Sequence, residues 1–301
     1  MYWGDKKVIA VGGGKGGIGK SAFVGNLGVT LASQGRRVTV VDADLGAANL
    51  HTILGVQYPA KTLDDFLANR EPDIEHTLVE TPYPPLRLLS SASDVLGLAS
   101  PNYKDRQRLY RAIKKLSTDI IIFDIAAGTH QRATDFFTLA PIGIVIIEPI
   151  PTSLENAFSF IKNMLVRGLL RTFFHNKEMT AFIEKTVDPR SAESTLHFSD
   201  LLVKLGETAP GTVEAFRQIF LQSIKMHVVA NAIRDQSQKQ VAEKFSRIIK
   251  RYLALDLEFS GTLPYEQNMD VAISDRVPFV IKYPQSEYAK NMQEIIVKLA
   301  L

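Results

Sequence analysis

Eight residues near the start of the chain constrain its fold more than any others. Gly14-Lys15-Gly16-Gly17-Ile18-Gly19-Lys20-Ser21 fits the pattern G-x-x-x-x-G-K-[ST]. It follows a short apolar run, Val8 to Val11, and precedes a segment with Phe23, Val24, Leu27 and Leu31 at helical spacing. Strand, glycine-rich turn and helix form the context in which this pattern cradles phosphate. The glycines let the backbone curl so that several N–H groups point inward, and the helix adds its positive end. Lys20 is placed to reach β- and γ-phosphates. Ser21 offers a hydroxyl to Mg2+, a hard ion that prefers oxygen.

The rest of the chain repeats that alternation. Strand-like runs fall at 38–41, ending at Asp42, at 86–89, and at 120–123, ending at Asp124. Others fall at 142–147, at 226–230, ending at Asn231, and within 257–263. Helical spacing marks 21–33, 103–116, a segment from about Leu154, and 238–253. Short β-branched runs separated by helices predict a mostly parallel, twisted sheet with helices on both faces. With the glycine loop, this is an α/β fold of the P-loop NTPase kind. From about 166 to 225 the alternation stops. Helical pieces are expected at 177–187, 192–205 and 213–223, punctuated by Pro189 and Ala209-Pro210-Gly211. The expectation is one domain over 1–301 with a helical insertion at about 166–225.

Composition removes several chemistries. The 301 residues include no cysteine, which excludes a disulfide scaffold, a thiolate zinc site, a cysteine nucleophile and a cysteine-held iron–sulfur cluster. Hydrophobic residues make up 46% and no apolar run reaches the roughly 18 residues of a spanning helix. The first residues lack the pattern of a secretory signal, so the expected location is the cytoplasm.

Two carboxylate motifs accompany the loop. Asp42 and Asp44 stand two apart after a strand, so in extended chain they point the same way. Ile120-Ile121-Ile122-Phe123-Asp124 is an apolar strand ending in a carboxylate, the Walker B pattern, with Asp124 placed to hold Mg2+ through water.

Lys15 is not required by the general loop. With it the sequence resembles the deviant Walker A ATPases of the ParA/MinD family, whose loop reads K-G-G-x-G-K-[ST]. The resemblance implies ATP and Mg2+ as cofactors and an ATP-dependent homodimer in which Lys15 reaches the partner's nucleotide. It makes Asp44 the residue that positions the attacking water and places Asp42 near the Mg2+ shell. Asn49 completes the family-like D-x-D-x-x-x-x-N pattern. Asp124-Ile125-Ala126-Ala127-Gly128 matches switch II, with the Gly128 N–H able to approach a γ-phosphate. Many relatives carry proline where this chain has Ala126. Asn231 matches the asparagine that reads adenine, and Pro264-Tyr265-Glu266 the loop that lines the base.

The segments around 263–266, 276–279 and 283–286 look most like the MinD and flagellar-number regulator (FlhG/FleN) branch. Its implied function is a regulatory switch. Slow ATP hydrolysis turns binding to a partner or activator protein, a membrane surface or DNA on and off, in the cytoplasm or peripherally at the inner membrane. Iron–sulfur carrier relatives need cysteines that this chain lacks. The alternative is a metabolic ligase of the cobyrinate diamide or dethiobiotin synthase type on the same fold.

Three further segments carry expectations. Residues 288–301 are amphipathic, with Met292, Ile295, Ile296 and Leu299 on one side, and are expected to be a packed final helix, the alternative being a membrane-binding one. Lys239, Lys244, Arg247, Lys250 and Arg251 decorate one helix, whose apolar side is expected to hold Val241, Phe245, Ile248, Ile249 and Tyr252. That basic face is either simply solvated or a contact for DNA or anionic lipid. Phe173, Phe174, Phe182, Phe198, Phe216 and Phe220 should form mostly core of the insertion.

Overall fold

A computed structural model describes residues 3–44, 48–57, 59, 61–91, 103–128, 131–192, 194–195 and 197–301. In chain order its elements begin with β1 (Lys7–Gly12), α1 (Lys20–Ser33), β2 (Val38–Asp42), α2 (Leu50–Ile53), α3 (Leu63–Leu67) and β3 (Leu78–Glu80). Next come β4 (Leu86–Leu89), α4 (Tyr103–Lys115), β5 (Ile120–Asp124), α5 (Gln131–Phe137) and β6 (Ile142–Ile147). Then follow α6 (Pro151–Thr172), α7 (Lys177–Val187), α8 (Phe198–Thr208), α9 (Thr212–Ile219) and β7 (Lys225–Ile233). The chain closes with α10 (Gln236–Leu253), β8 (Leu257–Pro264), α11 (Met269–Ser274), α12 (Phe279–Lys282) and α13 (Glu287–Lys298).

The strands form one eight-stranded sheet in the order β3-β4-β2-β5-β1-β6-β7-β8. All neighbours run parallel except β3, which pairs antiparallel with β4. The central strands are apolar on both faces because both faces are covered. Val8, Ala10, Ile121, Phe123, Val145 and Ile147 face α4, α5, α6, α8 and α10. Ile9, Val11, Ile120, Ile122, Ile144 and Ile146 face α1, α12 and α13. Strand order reverses at β1, which lies between β5 and β6. In open α/β sheets that reversal opens a crevice at the carboxyl ends of the strands. The glycine loop leaves β1 there.

Register brings the sequence's carboxylates together. Asp42 at the end of β2 pairs with Asp124 at the end of β5, and Val11 of β1 pairs with Asp124 on the other side.

The structure corrects several boundaries. β3 has no counterpart in the sequence pattern, since three residues cannot show a period. α6 begins at Pro151, where a fixed φ suits the first helical turn. α8 begins at Phe198 rather than near Ala192, after a turn that follows α7. β7 continues through Asn231 to Ile233, so that asparagine lies within a strand rather than after one. The expected apolar side of α10 divides: Phe245 and Ile249 are buried, but Val241 and Ile248 are exposed. In the helices before β7, Phe198, Phe216 and Phe220 are buried, while Phe174 is 74% exposed. Tyr288, Met292, Ile295 and Ile296 of α13 pack into the core, as a final packed helix should.

Candidate functional site

β1 delivers the loop to the crevice and α1 carries it away. Gly19, directly before α1, has φ of +85°, a conformation that strains any residue with a Cβ. A Cβ there would also collide with the side-chain amide of Asn231. That amide donates to the Ile18 carbonyl at 2.9 Å, so β7 clamps the loop. Gly14 is held from the other side, since a Cβ there would collide with the backbone carbonyl of Asn156 on α6. No side chain caps the start of α1, so its first N–H groups face the loop.

Charged groups converge beneath the loop. Lys20 is buried, and its Nζ donates to the Lys15 carbonyl at 3.3 Å. Burial pulls the Lys20 ammonium below the usual lysine range, while the nearby Asp124 and Asp44 carboxylates oppose that shift. Asp124 is 2% exposed. It accepts a hydrogen bond from Ser21, yet its Oδ1 has no hydrogen-bond partner among the described residues. Burial pushes Asp124 up to about 6, although Ser21 and Lys20 pull the other way.

Asp42 is pushed up to about 8, first by burial and then by the charge of Asp124. Its Oδ1 accepts from the Asp44 backbone N–H at 3.1 Å and its Oδ2 from the Leu50 N–H at 3.2 Å. Asp42 therefore staples both ends of the segment between them. Leu45 and Gly46 of the motif lie outside the described residues.

The remaining expected residues surround this cluster. Asp44 is half-buried, and its carbonyl accepts from the Ser91 hydroxyl at 3.1 Å. Asn49 is exposed at the start of α2. Lys15 is half-buried in the loop. Gly128, expected to face a γ-phosphate, has φ of +102° and donates its N–H to the Gly13 carbonyl at 3.3 Å. Ala126, in the position where relatives carry proline, is half-buried. Pro264 pairs with Ile233, and the Tyr265 N–H donates to the Ile233 carbonyl at 2.9 Å. The Glu266 carbonyl accepts from Met269, which turns the chain into α11.

Two residues of the site escaped the sequence. Asn156 approaches through its backbone, which leaves no side-chain signature. Arg234 lies 3.5 Å from the Tyr265 ring centroid, a cation–π contact at the rim of the loop expected to line the base.

The donor set fits magnesium. Ser21, Asp42 and Asp124 offer only oxygen, and Asp124 Oδ1 is a buried acceptor with no donor among the described residues. Among the described residues no three acidic or histidine side chains converge into a protein-only cage. Magnesium is usually held by one or two carboxylates together with substrate phosphates, which this arrangement allows.

The family description CobQ/CobB/MinD/ParA nucleotide binding domain matches residues 9–279. The chain belongs to this family. Within it, the chain is 25% identical over 296 residues to the antiactivator FleN of Pseudomonas aeruginosa, covering 97% of this chain and 86% of FleN. It is 30% identical over 161 residues to the flagellum site-determining protein YlxH of Helicobacter pylori, covering 53% of this chain and 54% of YlxH. Among solved structures it resembles the septum site-determining protein MinD of Pyrococcus horikoshii in complex with Mg-ADP, at a TM-score of 0.63 and 19% identity. That match covers 96% of this chain and 94% of the other. The fold is thus that of the ParA/MinD P-loop proteins, and the sequence stands with the FleN/FlhG-like branch.

Proposed function

We propose that this chain is a nucleotide-operated switch of the ParA/MinD type. It binds ATP, closes as a homodimer, engages a partner and reopens after slow, Mg2+-dependent hydrolysis. One observation carries the reading. Lys20, Asp42 and Asp124 are buried, with half-buried Ser21, at the strand-order reversal, and Asp124 Oδ1 has no donor among the described residues.

In this reading the N–H groups of Gly14 to Gly19 and the Lys20 ammonium hold the phosphates. Ser21, Asp42 and Asp124 hold Mg2+, which when bound neutralises phosphate charge. Asp44 orients water for in-line attack, and Gly128 reports the γ-phosphate once its bond to Gly13 opens. Asn49 supports the segment after Asp44. Asn231 and Pro264-Tyr265-Glu266 line the base. Lys15 crosses to the partner protomer's phosphates, where a cation supplied in trans accelerates related reactions by about 10³–10⁵. The whole chain acts as one ATPase unit, and α7 to α9 are its insertion.

Similarity to FleN along nearly the whole chain supports a regulatory role over a ligase. No helix among the described residues is long and apolar enough to cross a membrane. The working place we assign is the cytoplasm and its membrane surface. Light scattering of purified protein with Mg-ATP tests the reading. Wild type should double its mass, and K15A should stay monomeric while still binding ATP. An unchanged K15A dimer would remove the cross-subunit role.

A further inference from the structure

α1 is buried along almost its whole length, and Lys20, Asn26 and Thr30 are the polar members of its buried residues. Lys20 belongs to the phosphate cluster. Thr30 turns its hydroxyl back on its own helix, to the Asn26 carbonyl at 2.7 Å. Asn26, 1% exposed, does more. Its Nδ2 donates to the Ala22 carbonyl one turn back, at 2.7 Å. Its Oδ1 accepts the backbone N–H of Val280 on α12, at 2.9 Å. Asparagine is a poor residue for a helix interior, because its amide competes with the backbone. Here that amide meets the need of another element.

The need arises at the start of α12. Val280 is its second residue, and N–H groups of a first turn have no partner inside their helix. The residue before α12 is Pro278, which has no polar side-chain atom to offer. Val280 is buried, and Phe279 beside it packs on Tyr288 of α13 with ring centroids 5.2 Å apart. A buried N–H left unmet there would be costly.

α12 is also the far leg of the loop expected to line the base. The Glu266 carbonyl accepts from Met269, the Asn268 carbonyl from Ala272 at 3.0 Å, and the Ala272 carbonyl from Val277 at 3.0 Å. This hydrogen-bonded run carries the chain from residues 264–266 to Pro278. The base side of the site is therefore tied to the phosphate side at two points. Asn231 of β7 holds the Ile18 carbonyl within the glycine loop, and Asn26 holds Val280 from the helix that follows that loop.

We propose that Asn26 is a positioning residue for the nucleotide base. It acts through Val280, setting how far the 264–266 loop stands from the phosphates. The inference deepens the ATP reading above and rests on it for the identity of the base loop.

The test is calorimetric titration of the full chain with Mg-ATP and with magnesium tripolyphosphate, which carries the phosphates without the base. Binding is read below the melting temperature of the least stable variant. Wild type should bind Mg-ATP more tightly, and that margin measures the base loop. N26A should lose about tenfold in ATP affinity, the scale of one polar contact, and keep its tripolyphosphate affinity. N26D keeps an oxygen for the Val280 N–H and should restore most of the margin. A margin that N26A leaves unchanged overturns the proposal, as does an equal loss of both ligands, which a merely structural role would give. N26D with a margin as small as that of N26A overturns it too. Wild-type protein that binds tripolyphosphate as tightly as Mg-ATP defeats the base-loop assignment and this role together, whereas a wild-type margin that N26A retains defeats the role of Asn26 alone.

Discussion

Two sets of buried aspartates in this protein carry opposite charge balances. Asp135 on α5 is almost fully buried and meets two guanidinium groups of α6, Arg167 at 3.0 Å and Arg171 at 2.7 Å. Asp124 and Asp42 are equally buried, yet the charge of Asp124 bears on Asp42, and one oxygen of Asp124 has no donor among the described residues. The first set matches its carboxylate with two cations of the same chain and ties two helices together. The second is left short of positive charge beside a loop built for phosphate. Burial alone does not mark a functional carboxylate; burial without compensation does.

Substitutions can break that contrast, and the largest effect should come from Lys20. K20A should weaken ATP binding by about 10²–10³-fold, the usual cost of removing one partner of a desolvated charge pair. Titration with a fluorescent ATP analogue would read it, and wild-type affinity would contradict the loop assignment. At Asp135 the effect should fall on stability. D135N should cost about 2 kcal/mol, below the usual range for a broken buried pair because both arginines reach solvent. Urea unfolding would measure it, and ATP affinity should be unchanged.

D124N should act with the opposite sign. Removing a poorly compensated charge should raise the melting temperature of magnesium-free protein by a few degrees, roughly what 1 kcal/mol gives at this size. Turnover should be lost in the same variant. A D124N protein less stable than wild type would erase the distinction between the two sets.

A smaller effect concerns His227 of β7. It is fully buried, its Nδ1 shares a 2.8 Å hydrogen bond with Ser260, and its Nε2 has no partner among the described residues. Burial lowers its pKa, with Glu258 opposing. The folded chain keeps the ring neutral, while the unfolded chain takes up a proton below about pH 6.5. Stability from this group is therefore complete above that pH and falls as the pH drops toward the lower folded value. Melting curves at pH 7.5 and 5.5 should show a smaller loss in H227Q than in wild type.

The loop and the ends of β2 and β5 were legible because their residue types follow from chemistry at one place in the chain. Each of β2 and β5 was expected to end in a carboxylate, but that the two strands are neighbours, which sets Asp42 beside Asp124, had no local signal. Other features lacked one too. Arg167 and Arg171 lie 32 and 36 residues from Asp135, and no spacing rule joins them. The start of α8 was misplaced because Ala192 favours helix, whereas the chain turns there and enters the helix only after His197. Periodicity gave the apolar side of α10 but not how much of it the body covers, so Val241 and Ile248 read as core.

The close approach of Asn156 to Gly14 has a mechanical consequence. α6 has 22 residues and is about 33 Å long at 1.5 Å per residue. Its second turn meets the glycine loop through Asn156, and its far end passes through a turn at residues 173–176 into α7. A helix of that length spaces the glycine loop from the start of α7 and ties both to one element.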